Sequence, residues 1–419
     1  MKDFEVQELS KIELIREKFI HTANLFSFEF MEPSPIESLS TMEAKSGPQI
    51  KDEIYYFKDK GDRDVALRFD FTVGMTRYVS SQRSLKLPAK FSSFGGVFRY
   101  DEPQKGRYRF FHQWNIEIFG KPSLESEAEI IEFSSRLFDS LGLKNIEIQI
   151  NHRKLVESFI RNNYPYFDPR QQDNIFGDSF RLVDKAAKKP KNELLKEYPN
   201  MPQEFAQNLL DFALIRGSPQ EVESKTNVEI LDSWDYIKQL WDSLKNRSIN
   251  NISINFGIVR GLDYYSGTVF EIFDKNSKLG ALAGGGRYDA LTEAFGRKDI
   301  GATGIAGGVE RMILTMDEQK TPNKPPRQKT SILYVDETIQ LYAIKLASQL
   351  RQKNIPVDVD LMGRPFKKQI ESASNSKFAI IIGRKELEEN QLVLRNMNDR
   401  TESKINTDEF LANPESFLY

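Results

Sequence analysis

The chain has 419 residues, 39 % of them apolar and 29 % charged, with a formal net charge of −2. That length exceeds one compact core and predicts two or three domains, while the charge balance excludes a chain that is basic throughout but leaves room for local positive faces. Cysteine is absent and there are only 3 histidines (His21, His112 and His152), which excludes disulfides, thiolate catalysis, Cys-ligated zinc and a His-rich metal centre. No stretch approaches the about 18 apolar residues of a membrane span. Residues 1–19 mix acids and bases and read as neither a signal nor a transit peptide, so a cytoplasmic chain without a membrane is expected.

In chain order, the first segment with chemistry in it is LRFDFT, residues 67–72. At strand spacing, Asp70 and Thr72 point to the same face, and a carboxylate beside a hydroxyl acceptor is what a buried ammonium group needs. The densest segment is FSSFGGVFRYDEPQKGRYRFFHQWNIEIFG, residues 91–120. Two alternating runs flank turn residues, which predicts a long hairpin carrying Arg99, Lys105, Arg107 and Arg109 beside Phe110 and Phe111. Guanidinium forks with an aromatic face suit an anionic planar ligand, and cross-strand aromatic pairs on a surface hairpin are the plainer alternative.

From about Arg153 to Leu244 helical periodicity dominates, separating two strand-rich regions. A helical insertion within one catalytic domain accounts for this. Lys185 to Lys196 is a local positive run within it. VRGLDYYSGTVFE (residues 259–271) then leads into a strand, AGGGRYD (283–289) reads as a Gly-rich loop ahead of a helix, and GATGIAGGVER (301–311) reads as a Gly-rich strand running into a helix. Pro322, Pro325 and Pro326 among polar residues mark a linker at 321–330. Beyond it, strands at 331–335, 355–359, 378–382 and 391–396 alternate with helices at 339–353 and 365–374. That alternation predicts a small α/β domain with a mainly parallel sheet.

Taken together and in this order, these segments resemble the histidyl-tRNA synthetases, a class II family. FRYDEPQKGRYRFFHQWNIEIFG resembles motif 2, VRGLDYYSGTVFEI and AGGGRYDAL resemble the two histidine-specific segments, and GATGIAGGVERMIL resembles motif 3. Residues 26–36, with Pro33, are similar to the motif 1 region at the class II dimer interface. The resemblance implies an α+β catalytic domain on an antiparallel sheet flanked by helices (1–151 and 251–320), a helical insertion (152–250), and an α/β anticodon-binding domain (331–419). It also implies ATP as a substrate with Mg²⁺, and L-histidine, histidine tRNA and a second copy of the chain as partners.

The residue roles it implies are specific. Arg99 and Arg311 hold the α- and γ-phosphates of a bent ATP, Arg107 lies near the triphosphate, and Phe111 stacks on adenine. Asp70, Thr72 and Gln113 receive the histidine ammonium. Glu117 and Tyr265 take the two imidazole nitrogens, with Tyr264 and Tyr288 lining that pocket, and Arg260 stands beside the α-phosphate. Two residues depart from the family's commoner pattern: Asp101 and Asp70 stand where glutamate is frequent. The alternative function is a synthetase-like regulatory paralogue without aminoacylation activity. The presence of Glu117, Arg260, Tyr265 and a domain beyond residue 330 favours the enzyme.

Overall fold

A computed structural model describes residues 3–46, 48–100, 108–165, 167–168, 170, 172–259, 265–321 and 329–418. The chain divides into two compact units, residues 1–323 and 324–419.

The first unit opens with α1 (Val6–Leu25), β1 (Glu29–Phe30), β2 (Ile36–Ser38), α2 (Leu39–Ser46), β3 (Tyr56–Lys58), β4 (Asp64–Leu67) and α3 (Thr72–Ser81). The hairpin follows as β5 (Ala89–Phe98) and β6 (Phe110–Gly120), then α4 (Leu124–Ser140) and β7 (Ile146–His152). The helical stretch comprises α5 (Arg153–Asn163), α6 (Gln172–Lys185), α7 (Lys191–Glu197), α8 (Gln203–Ala213), the short β8 (Arg216–Gly217), α9 (Pro219–Glu223) and α10 (Trp234–Asn246). β9 (Ile252–Asn255), β10 (Thr268–Asp274), β11 (Ala283–Arg287), α11 (Asp289–Ala294), β12 (Gly301–Gly308) and α12 (Val309–Glu318) complete it.

A nine-stranded sheet in the order β1-β5-β6-β12-β11-β10-β7-β9-β8 forms the frame of this unit. Its pairs are antiparallel except β1 with β5 and β7 with β9, so the expected antiparallel sheet is present with two parallel contacts. Alternation along β6 decides what each face does. Trp114, Ile116 and Ile118 are buried on one side, where Trp114 meets Phe19 at 5.9 Å and Phe133 at 6.2 Å between ring centroids. α1, α4 and α12 supply the apolar side chains that cover this side. Gln113, Asn115 and Glu117 take the other parity and face away from that core. Helices between residues 153 and 246 add Phe180, Leu194, Phe205 and Leu240 to the same apolar core, and α10 packs on α4 and β7.

Two local expectations change. The strand expected through residues 67–72 ends at Leu67; Asp70 lies in the turn that follows, and Thr72 opens α3. Asp70 Oδ1 accepts from the Val73 N–H at 3.2 Å, so the carboxylate satisfies one of the free donors of the helix start, and this wins over a strand continuation. The expected Gly-rich loop at 283–289 is instead strand β11, hydrogen-bonded on both sides inside the sheet.

The second unit contains β13 (Thr330–Tyr334), α13 (Gln340–Gln352), β14 (Val357–Val359), α14 (Phe366–Ser372), β15 (Phe378–Ile382), α15 (Arg384–Glu388), β16 (Gln391–Asn396), β17 (Glu402–Asn406), α16 (Thr407–Ala412) and α17 (Glu415–Leu418). Its sheet runs β14-β13-β15-β16-β17. The first two pairs are parallel and the last two antiparallel, so the expected mainly parallel sheet is mixed. The links β15–β16 and β16–β17 are too short for the crossover of a dozen or more residues that parallel pairing needs.

His152 ends β7 and caps α5, its Nδ1 accepting from the Lys154 N–H at 3.2 Å. The imidazole is buried and meets Tyr236 edge-on at 5.4 Å. Burial pushes its pKa down to about 4, with the charges of Lys154 and Arg287 adding to the shift. An unfolded histidine titrates near ~6.5, so the folded state binds the proton less well. The corresponding stability is present above that pH and is lost as pH falls toward 4, to a total of about 3 kcal/mol. Chemical denaturation across that window should show the loss, and His152→Asn, which keeps a capping acceptor but does not titrate, should flatten it.

Candidate active site

The site lies on the sheet face opposite Trp114. In β12, Ala302, Gly304, Ala306 and Gly308 lie opposite Phe119, Glu117, Asn115 and Gln113 of β6, and in β11 Gly286 lies opposite Gly304. Small residues therefore form a floor beside the polar row. Gly304 is required by contact: a Cβ there would fall 1.4 Å from Glu117 Oε2 and 2.6 Å from the Ile116 carbonyl oxygen. The Glu117 carboxylate lies directly over this backbone. At Gly286 a Cβ would meet the Thr268 carbonyl at 2.3 Å and the Tyr265 ring at 3.0 Å. That glycine lets the buried Tyr265 settle against β11.

Glu117 is 1 % exposed and sits among donors. Thr72 Oγ1 donates to its Oε1 at 2.7 Å, Asn115 Nδ2 to the same oxygen at 3.1 Å, and the Tyr288 hydroxyl to Oε2 at 2.6 Å. Asn115 Nδ2 also donates to Thr72 Oγ1 at 3.0 Å, and Asn115 Oδ1 accepts from Gln113 Nε2 at 2.7 Å. Gln113 Oε1 accepts from Arg99 Nη2 at 3.2 Å. Arg99 in turn donates from Nε to the Phe69 carbonyl at 3.1 Å, and its guanidinium lies 5.2 Å from the centre of the Phe111 ring. Arg99, Phe111, Gln113, Glu117, Thr72 and Tyr288 thus belong to one connected group, with Asp70 buried two residues before Thr72.

Arg311 lies in the first turn of α12 and donates from Nη1 to the Ala281 carbonyl at 2.7 Å, close to the start of β11. Its neighbour Glu310, 4 % exposed, accepts from the His112 N–H at 2.9 and 3.0 Å and pairs with His112 Nδ1 at 3.0 Å. That ties the start of α12 to β6. His112 thus joins β6 to α12. Arg107, Arg260 and Tyr264 lie outside the described residues, as do Asp101 and Lys105.

Beneath the pocket lies a buried ion pair that sequence reading missed. Arg287 Nε donates to Glu127 Oε1 at 2.6 Å, while Thr268 Oγ1 at 2.6 Å and the Tyr236 hydroxyl at 3.0 Å donate to Oε2. Burial pushes the Glu127 carboxyl up, against the guanidinium and both hydroxyls, and Arg287 is held firmly charged by the pair. Arg287 immediately precedes Tyr288, so this cluster fixes the strand end that delivers the Tyr288 hydroxyl. Asn115 and Glu310 were missed as well. Asn115 had a signal, since it alternates with Gln113 and Glu117; Glu127 had none, because a lone acid in an amphipathic helix reads as surface.

A floor of small residues can receive a flat ligand, with a donor-only arginine and an aromatic ring at one end and a carboxylate ringed by donors at the other. The sequence profile of the histidyl-tRNA synthetases matches residues 1–312, and that of the anticodon-binding domain matches residues 328–413. The chain belongs to the histidyl-tRNA synthetase family. It is 32 % identical to the histidine–tRNA ligase of Sulfurisphaera tokodaii, an alignment covering 98 % of this chain and 96 % of that one. It is 31 % identical to that of Pyrococcus furiosus, over 98 % and 97 %. The crystal structure of histidyl-tRNA synthetase from Nostoc superposes with a TM-score of 0.80 at 21 % identity, covering 99 % of this chain and 97 % of that one, which shows the shared fold.

As a histidyl-tRNA synthetase, the chain ligates histidine to tRNA at the expense of ATP, and the paralogue alternative has the weaker support. The class II catalytic sheet and a C-terminal anticodon-binding domain with its own sheet are both present. No helix among the described residues is long and apolar enough to cross a membrane.

Proposed function

We propose that the network around Glu117 is the histidine pocket and that Arg99, Phe111 and Arg311 form the nucleotide end of the same site. The observation that carries this reading is the buried Glu117 carboxylate, held by Thr72, Asn115 and Tyr288 at the end of a small-residue floor. Burial makes a carboxylate costly, and an imidazole N–H or imidazolium adds a further donor to it on binding. Tyr265 takes the second ring nitrogen in this reading. Asp70, Thr72 and Gln113 receive the ammonium, and Tyr264 lines the pocket.

The first step joins a histidine carboxylate oxygen to the α-phosphorus of ATP and breaks the bond to the β-phosphate oxygen, so pyrophosphate leaves. An anion attacks an anion, and the chain's part is to place positive charge rather than to supply a nucleophile. Arg99 and Arg260 serve the α-phosphate, Arg311 the γ-phosphate, Arg107 the triphosphate, and Phe111 the adenine. In the second step a terminal ribose hydroxyl of histidine tRNA attacks the carbonyl carbon of the adenylate, and AMP leaves.

Mg²⁺ fits this chemistry as the counter-ion of the triphosphate. The described residues hold no cluster of three or more potential metal ligands. Glu271, on the pocket face by its register with Gly284, would offer the ion a carboxylate, and the ion would neutralise charge on the triphosphate. Residues 29–46, which overlap the stretch similar to motif 1, form the contact of a cytoplasmic homodimer. Residues 1–151 and 251–320 act as the catalytic domain, 152–250 as the tRNA-gripping insertion, 321–330 as the linker and 331–419 as the anticodon reader.

The test is exchange of labelled pyrophosphate into ATP with each amino acid in turn. Histidine alone should support exchange. Exchange with another amino acid at a comparable rate, or none with histidine, would reject the pocket assignment.

A further inference from the structure

The orientation of every amide in the pocket row is fixed from its two ends. Arg99 can only donate, so Gln113 must turn its Oε1 toward Arg99 and its Nε2 toward Asn115. Asn115 must then present Oδ1 to Gln113 and Nδ2 to Thr72 and Glu117. Glu117, as a carboxylate, only accepts. The row Arg99–Gln113–Asn115–Glu117 is therefore one directed chain of hydrogen bonds, its last three members alternate residues of β6, and Asn115, 0 % exposed, lies within it. Bonds that all run the same way polarise one another.

We propose that Asn115 is a specificity-determining positioning residue, which holds Gln113 with its carbonyl turned to a cation and Glu117 with its carboxylate ready for the imidazole. This inference rests on the histidine-pocket reading above. An ammonium group, like Arg99, offers only donors, so the same Gln113 oxygen serves both and the direction of the chain persists when histidine enters. One amide side chain thereby sets both ends of the amino acid at once. Neither an aliphatic nor an acidic residue at 115 can do this: the first bonds to neither neighbour, and the second accepts from Gln113 but has no donor for Thr72 or Glu117.

The experiment compares Asn115→Asp, Asn115→Leu and Glu117→Gln by histidine KM, ATP KM and kcat in pyrophosphate exchange, with thermal melting to confirm folding. Asn115→Asp has the shape of the native residue, and a mere space-filling role makes it the milder variant. Under the proposal it is the worse, because it sets a second carboxylate about 3 Å from Glu117. Histidine KM should rise by about ten-fold for Asn115→Leu and further for Asn115→Asp, with ATP KM nearly unchanged. The Asn115→Asp defect, as a ratio to the native enzyme at each pH, should shrink as pH falls, because a protonated carboxyl regains the donor that the amide supplied. Asn115→Asp milder than Asn115→Leu, or a ratio flat with pH, overturns the proposal. Glu117→Gln should raise histidine KM by about ten-fold or more; if it does not, the pocket reading itself fails, whatever the variants at 115 do. Should Asn115→Asp not fold, histidinol binding by Asn115→Leu decides: it carries the ammonium and imidazole without the reacting carboxylate, and unweakened binding overturns the proposal.

Discussion

Gly304→Ala is expected to lower kcat/KM for histidine by about a hundred-fold or more, the scale that displacing a recognition group by an ångström produces. The added methyl carbon would fall 1.4 Å from Glu117 Oε2 and 2.6 Å from the Ile116 carbonyl oxygen. The first overlap is relieved only if the carboxylate swings off the floor, which breaks the Tyr288 bond at 2.6 Å and the Thr72 bond at 2.7 Å. The second is with backbone, so β6 and β12 must also part slightly. Stability should fall too, by about 1–3 kcal/mol, as for other overpacked sites. ATP KM should change far less, because Gln113 and Asn115 stand between Arg99 and Glu117 in the row. Gly308→Ala, in the same strand with open space around the added carbon, should melt like the native protein. Full histidine activity in Gly304→Ala would show that recognition does not depend on Glu117 in this position.

Glu127→Ala is expected to cost about 3–5 kcal/mol of stability, the range for removing one partner of a buried ion pair. Glu127 is 0 % exposed and bonded to Arg287, Thr268 and Tyr236. Its removal leaves a guanidinium 7 % exposed beside the Ser123 carbonyl at 3.0 Å, the Tyr236 hydroxyl and, more distantly, Asp289 at 3.7 Å. Denaturant midpoints should report the loss. Glu127→Ala combined with Arg287→Met should recover part of it, because the uncompensated charge is then gone. Histidine KM should rise in the single variant as well, since Arg287 adjoins Tyr288, the residue whose hydroxyl holds Glu117. If the double variant is no more stable than the single one, the cost lies in lost packing rather than in a stranded charge.

Much of this was legible in the chain. The alternation of GGVFRY and QWNIEIF predicts the hairpin, which pairs from Ala89↔Phe119 to Phe98↔Phe110. The runs at 378–382 and 391–396 are the strands Phe378–Ile382 and Gln391–Asn396. These succeed because period and turn chemistry are local properties, written within ten or so residues. The resemblance carried by motifs 2 and 3 and the RGLDYY segment led to the family that the comparisons show.

Other features depended on partners far away in the chain. AGGGR reads locally as a loop, and it is a strand because β10 and β12 bond to it from both sides. Asp70 and Thr72 read as strand neighbours, and the helix start at α3 claimed them instead. The sequence shows a glutamate at 117 and a tyrosine at 288; only the order β6-β12-β11 brings them within 2.6 Å across 171 residues of chain. Nor does anything near Asn115 say which way its amide points. Direction is imposed by a donor-only arginine at one end of the row and an acceptor-only carboxylate at the other, and their meeting on one face is set by strand register, where a slip of one residue would turn every side chain in the row to the opposite side.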